Sequence, residues 1–212
     1  MPDPGALVPA ARGLLPPGCA VAGADPRRLY PLWSGEDAAG MTAARRAEFS
    51  AGRHAARAAL AELGRAAALP QAPDRAPVWP PGVAGSITHS ANACLAAASP
   101  ALRGLGLDLE PLAPLDRGLW DIVLSPDEAA CARTAADPGL AALRVFSAKE
   151  AAYKAQYALS RRLFGFEVLA VAFDGDRFTA TFRQAVPPFA PGDRLAGRWA
   201  QAQGHLLATC WL

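Results

Sequence analysis

The segment E-F-S-A-G-R-H-A-A-R-A-A-L, from Glu48, returns in altered form as V-F-S-A-K-E-A-A-Y-K-A-Q-Y from Val145. Phe-Ser-Ala matches at Phe49 and Phe146, Arg53 falls over Glu150, and Arg57 over Lys154. Upstream, S-G-E-D-A-A at Ser34 lies over S-P-D-E-A-A at Ser125, with a short insertion in the second copy. Repeat arrays need three or more copies to bury a continuous core, and only two fit here. The repeat therefore points to two similarly folded lobes, 1–103 and 104–212, joined near 99–104 and related by pseudo-twofold symmetry.

Each lobe reads alike. A short strand (19–23; 105–109) leads to a helix capped by Ser34 or Ser125, with acidic residues in its first turn. A longer helix follows, ending near Leu63 with Gly64 as its stop, or near Leu159. Paired strands come next: 85–88 with 94–98, and 168–173 with 178–182 around D-G-D. A last strand, 206–212, closes the chain. Segregated helices and antiparallel strands predict an α+β fold, each lobe a small antiparallel sheet packed on a long helix. Residues 1–18 carry no clear signal.

The long helices place charges where an apolar stripe is expected. In the second copy the stripe runs Phe146, Glu150, Tyr153, Lys154, Tyr157; in the first it runs Phe49, Arg53, Ala56, Arg57, Leu60. Charges set into such a stripe are costly unless paired or liganded. We expect both helices to border one inter-lobe cleft that holds the active site. In G-L-D-L-E, Gly106 to Glu110, strand alternation points Asp108 and Glu110 the same way. Helical spacing makes Glu150 and Lys154 neighbours. Alone, that pair could be an ordinary surface contact; if the fold brings it beside D-L-E, three carboxylates and a lysine crowd one spot. Such crowding calls for a divalent cation, and an all-oxygen donor set favours Mg²⁺ or Mn²⁺ over zinc. A hard cation beside a lysine suits phosphoryl chemistry. On this reading Asp108→Ala relieves repulsion and costs little stability.

Composition excludes several classes. A formal net charge of +2 over 212 residues gives no general case for nucleic acid. Four dispersed cysteines and three histidines make no zinc pattern, and the cysteines read as buried free thiols of a reducing cytosol. No stretch is long and apolar enough for a membrane span, and the early prolines break any signal-peptide core. The expectation is a cytoplasmic protein.

Four blocks in order resemble the 4′-phosphopantetheinyl transferases of the two-lobed, monomeric (Sfp-type) class. They are R-R-x-E-F-x-x-G-R-H-A-A-R-x-A-L from Arg45, P-V-W-P-P-G-V-A-G-S-I-T-H-S from Pro77, G-L-D-L-E-P from Gly106 and F-S-A-K-E-A-A-Y-K from Phe146. The following L-S-R-R-L-F-G-F-E is similar to the branch serving siderophore, polyketide and nonribosomal-peptide synthesis. The resemblance implies transfer of 4′-phosphopantetheine from coenzyme A to a serine of an acyl or peptidyl carrier protein, releasing adenosine 3′,5′-bisphosphate. It implies Asp108, Glu110 and Glu150 as metal-binding acids, with Glu150 as base, ligand or both. Lys154 would stabilise the transferring phosphate, with Lys149 facing the same phosphates. Arg45, Arg53, Arg75, Thr88 and His89 match positions that hold the 3′-phosphate and adenosine. A metal-dependent phosphohydrolase and a catalytically silent binder of carrier protein or coenzyme A are the competing readings. Read without the family, His89 is a strand-end histidine bonding backbone, and Trp79 a packing anchor. Carrier contacts are expected around 163–166.

Overall fold

Alanine and glycine decide how closely each long helix lies on its sheet in the computed structural model, which describes residues 4–212. Helix α1 (Pro4–Gly13) and strand β1 (Ala20–Ala24) precede the first long helix, α2 (Ala43–Glu62). Thr42 caps α2, its hydroxyl accepting the Arg45 N–H, and Gly64 follows at φ 67°, a left-handed stop that suits glycine. The helix buries Ala51, Ala55, Ala59 and Leu60 against β1 and the hairpin of β2 (Ala84–His89) and β3 (Cys94–Ser99). This three-stranded antiparallel sheet has the order β1-β3-β2, and central β3 is buried along its whole length. These elements belong to a compact unit that ends at Arg103.

The second unit, Gly104–Leu212, starts with β4 (Leu105–Pro111), followed by short helices α3 (Trp120–Val123) and α4 (Pro126–Arg133). Ser125 and Glu128 form a reciprocal capping box on α4, as S-P-D-E foretells. Helix α5 (Pro138–Ser160) is capped by Asp137 and stopped at Arg161, φ 53°. Strands β5 (Leu169–Asp174), β6 (Arg177–Phe182), β7 (Arg194–Ala202) and β8 (His205–Trp211) complete an antiparallel sheet ordered β4-β8-β7-β6-β5. Helix α5 lies across β4 and β8.

Glycine sets that last contact. A Cβ on Gly106 would lie 1.8 Å from the Ala151 carbonyl oxygen, and one on Gly104 2.3 Å from that of Ala155. Backbone cannot yield as a side chain tip can, so Gly106→Ala is expected to cost about 3 kcal/mol or more. Urea unfolding checks this; a loss under about 1 kcal/mol would mean that α5 rides freely on β4.

The α+β class and antiparallel sheets agree with the sequence reading; several local expectations do not. Ser34 opens no helix: Gly35 turns the chain at φ 90° and Glu36 points inward, where Arg57 and the Trp33 and Leu69 N–H groups claim its carboxylate. Both expected hairpins form, 85–88 with 94–98 in β2–β3 and 168–173 with 178–182 in β5–β6, but they hold different places in their sheets. In strand order β1-β3-β2 is matched by β4-β8-β7, which sets the hairpin β7–β8 where the first sheet has β2–β3 and leaves β5–β6 at the far edge. R-L-A-G-R-W-A-Q-A, short of β-branched residues, hid β7. The half-buried stripe of Phe146, Glu150, Tyr153, Lys154 and Tyr157 borders the core, whose α5 face is Ala148, Ala151, Ala152 and Ala155. Cys131 is exposed; the other three cysteines are buried, and all are free thiols.

Candidate functional site

Strand alternation carries the close approach at Gly104 and Gly106 forward to Asp108 and Glu110 on the α5 face of β4. Asp108, only 2 % exposed, accepts from Ser147 Oγ at 2.8 Å and from Lys154 Nζ at 2.6 Å, one donor on each carboxylate oxygen. Lys154 also donates to the Leu107 carbonyl at 3.2 Å. Burial opposes its charge, but Asp108, Glu150 and Glu110 together hold its pKa above the ordinary value. Glu150 is pushed up by burial, eased by Lys154 and raised again by Asp108. The structure thus brings Asp108, Glu110, Glu150 and Lys154 into one electrostatic group. Ser147 is the member that the sequence reading missed, although F-S-A-K-E contains it.

Glu110 is pushed up to about 7, first by burial and then by the charge of Asp108. Its fold therefore holds a proton that the unfolded chain, with its carboxyl near the ordinary 4.5, has released. The stabilisation is complete below that ordinary value and is lost as pH rises through about 7. In EDTA, Tm is expected to fall as pH rises from about 5 to about 8. Mg²⁺, which favours the ionised carboxylate, should raise Tm more at the higher pH. A flat profile across that range would mean that Glu110 is not crowded.

The donor chemistry fits a hard divalent cation: three carboxylates stand against one lysine, and burial and the charge of Asp108 push the Glu110 carboxyl up to about 7. The side chains are not drawn into a coordination sphere, since among the described residues no three His, Cys, Asp or Glu groups stand close enough to hold a metal ion. Lys154 fills the place beside Asp108 that a cation would compete for.

Lys149 departs from expectation. Its side chain is buried, and its ammonium bonds Glu128 Oε2 at 2.7 Å, the Val123 carbonyl at 2.8 Å and the Phe166 carbonyl at 3.1 Å. Burial lowers its pKa, an effect that Glu128 opposes. It anchors the segment after α5, with no ammonium hydrogen left to face a phosphate. Beside Glu150 that segment and α5 form a pocket lined by Lys149 itself with Tyr153, Phe164, Gly165, Phe166 and Leu169.

In the first unit, Arg45 Nη1 lies 3.3 Å from His89 Nε2 and 3.1 Å from Glu48. Arg53 is 5 % exposed, stacks over Phe49 at 4.3 Å and donates Nε to the Leu69 carbonyl at 2.7 Å. Burial lowers its pKa to about 10; Glu36 counters this, while Arg45 and Arg57 add to it. Thr88 is buried on β2 beside exposed His89, whereas Arg75 sits on an exposed turn at φ 71°. A Cβ on Gly85 would be 2.5 Å from the Trp79 ring, so that glycine admits an indole, as the packing-anchor reading of Trp79 requires.

Comparison with known proteins accords with both units. A family described as "4'-phosphopantetheinyl transferase N-terminal domain" matches residues 35–99, and the "4'-phosphopantetheinyl transferase superfamily" matches 104–210. The chain is 37 % identical over 183 residues to the 4′-phosphopantetheinyl transferase Npt of Nocardia iowensis, covering 78 % of this chain and 81 % of that one. It is 36 % identical over 204 residues to PptT of Mycobacterium tuberculosis, covering 87 % of each, and 40 % identical over 149 residues to Svp of Streptomyces mobaraensis, covering 63 % and 58 %. Matched in both units and along most of its length, the chain belongs to the 4′-phosphopantetheinyl transferase superfamily.

Proposed function

We propose that this enzyme moves 4′-phosphopantetheine from coenzyme A to a carrier-protein serine with the second-unit acids and lysine as its reacting centre. The observation that carries the proposal is the group of Glu110, Glu150 and Lys154 around a buried, doubly bonded Asp108. The carrier serine Oγ attacks the β-phosphorus of coenzyme A, an O–P bond forms, and the bond to the adenosine bisphosphate oxygen breaks. Glu150 takes the serine proton; burial raises its pKa above the ordinary carboxylate value, which makes it a stronger base. Lys154, kept charged by three carboxylates, stabilises the phosphate in transit. Mg²⁺ or Mn²⁺ held by Asp108, Glu110 and Glu150 would neutralise the pyrophosphate oxygens.

Arg45, Arg53, Arg75, Thr88 and His89 are assigned to the 3′-phosphate and adenosine end of coenzyme A. Arginine suits this because its fork bonds phosphate oxygens in pairs. Leu163, 69 % exposed next to the pocket at Glu150, is assigned to the carrier surface. The R-R-L-F-G-F segment supports carriers of siderophore, polyketide or nonribosomal-peptide synthesis. A monomer working in the cytoplasm is the matching physiology, and among the described residues no helix is long and apolar enough to cross a membrane.

The test is intact-mass spectrometry of apo carrier protein incubated with enzyme, coenzyme A and Mg²⁺, with an EDTA arm. One phosphopantetheine gained on the carrier serine, and lost in EDTA, is the expected result. Adenosine bisphosphate released without carrier modification would make the enzyme a hydrolase, and coenzyme A bound but unconsumed would make it a silent binder.

A further inference from the structure

Leu69 is gripped at both ends of its residue. Glu36 Oε1 accepts its N–H at 3.0 Å, and its carbonyl accepts Arg53 Nε at 2.7 Å. Leu69 itself is fully buried, which keeps water from competing for either bond. Glu36 is fixed in turn: its Oε2 accepts the Trp33 N–H at 2.9 Å and pairs with Arg57, whose other nitrogen donates to the Pro31 carbonyl at 2.7 Å. Arg53 Nη2 is left buried and without a partner. Buried guanidinium hydrogens seldom go unsatisfied. Two buried arginines against one buried glutamate leave a positive charge in excess, and Arg45 adds to it.

We propose that Glu36 is a positioning residue for the anion site at Arg53: through Leu69 it holds the guanidinium so that Nη2 is kept for a phosphate monoester. The proposal rests on the assignment of Arg53 to the 3′-phosphate of coenzyme A. Glu36 does not touch the nucleotide. It fixes the backbone that fixes Arg53, and the cation–π contact with Phe49 completes the restraint. A mere counter-charge would act in the opposite direction, since its removal would strengthen attraction for an anion.

Calorimetric titration of the full chain with adenosine 3′,5′-bisphosphate and with adenosine 5′-monophosphate gives an affinity ratio that reads the 3′-phosphate alone. The decisive variant is Glu36→Leu with Arg57→Met, which removes one charge of each sign and replaces a buried ion pair with apolar groups, a change that folds often tolerate. The ratio is expected to fall about tenfold, as for one misplaced charge-assisted bond, with monophosphate affinity unchanged. Glu36→Gln, which keeps an acceptor for the Leu69 N–H, should preserve the ratio or raise it. A wild-type ratio in the double variant, or an equal fall in Glu36→Gln, overturns the proposal. Should the double variant not fold, Glu36→Asp keeps the charge but shortens the reach, and an undiminished ratio there overturns it as well. Arg53→Ala separates the two claims: a ratio it leaves intact defeats the assignment of Arg53, not the part played by Glu36.

Discussion

Glu150→Gln is expected to fold like the wild type and to transfer phosphopantetheine about 10²–10⁴-fold more slowly, the usual worth of a general base. The side chain is half-buried and its carboxyl is raised, so its ionised form is tolerated by the fold rather than required by it. An isosteric amide removes that burden and the repulsion from Asp108, while forfeiting an attraction to Lys154. Asp108→Asn should lose activity for a different reason. Asp108 is buried under Ser147 Oγ and Lys154 Nζ, and an amide nitrogen cannot accept from one of them, at a cost of about 1–3 kcal/mol. Asp108→Ala should cost at least as much, against the sequence-based expectation that relieved repulsion would dominate. Carrier intact mass and thermal melting, read side by side, separate the two positions. Full activity in Glu150→Gln would remove Glu150 from proton transfer; a large melting loss there would make its place structural.

What was legible in the chain follows from how far each signal reaches. The G-L-D-L-E strand and the S-A-K-E helix are short-range patterns: alternation sets Asp108 with Glu110 and helical spacing sets Glu150 with Lys154, while the packing of α5 on β4 joins the two pairs. The close approach at Gly106 is a finding of the fold alone, since the Ala151 carbonyl that requires the glycine comes from a distant helix. Buried ion pairs were beyond reach. Glu36 looked like a helix-opening acid, yet its partners Arg57 and Leu69 are distant in sequence and their pairing is set by packing. Strand β7 escaped because its hydrogen bonds to β6 and β8 override a sequence that has little strand character of its own. Both expected hairpins form, as β2–β3 and β5–β6, whereas the helix expected at Ser34 does not, because Glu36 turns inward to Arg57 and the Leu69 N–H.

Lys149 gives the second large effect, on stability rather than on rate. Lys149→Met is expected to destabilise the protein by about 3–5 kcal/mol, because it strands the Glu128 carboxylate in the core. Glu128 keeps two donors, the Ser125 N–H at 2.7 Å and the Val171 N–H at 2.7 Å, which bind the start of α4 to strand β5. They soften the loss without replacing a full opposite charge. Neutralising both partners removes the stranded charge, so Lys149→Met with Glu128→Gln should be more stable than Lys149→Met alone. Additive losses in that cycle would mean that the two side chains act independently despite their 2.7 Å contact. The same variants decide which way the lysine works. Its ammonium holds the Phe166 carbonyl, and both Lys149 and Phe166 line the pocket at Glu150. Measured well below the variant's Tm, coenzyme A affinity should therefore survive Lys149→Met, while carrier modification declines as the pocket loosens. A folded variant that had lost coenzyme A binding would return Lys149 to the phosphates, where the family resemblance puts it.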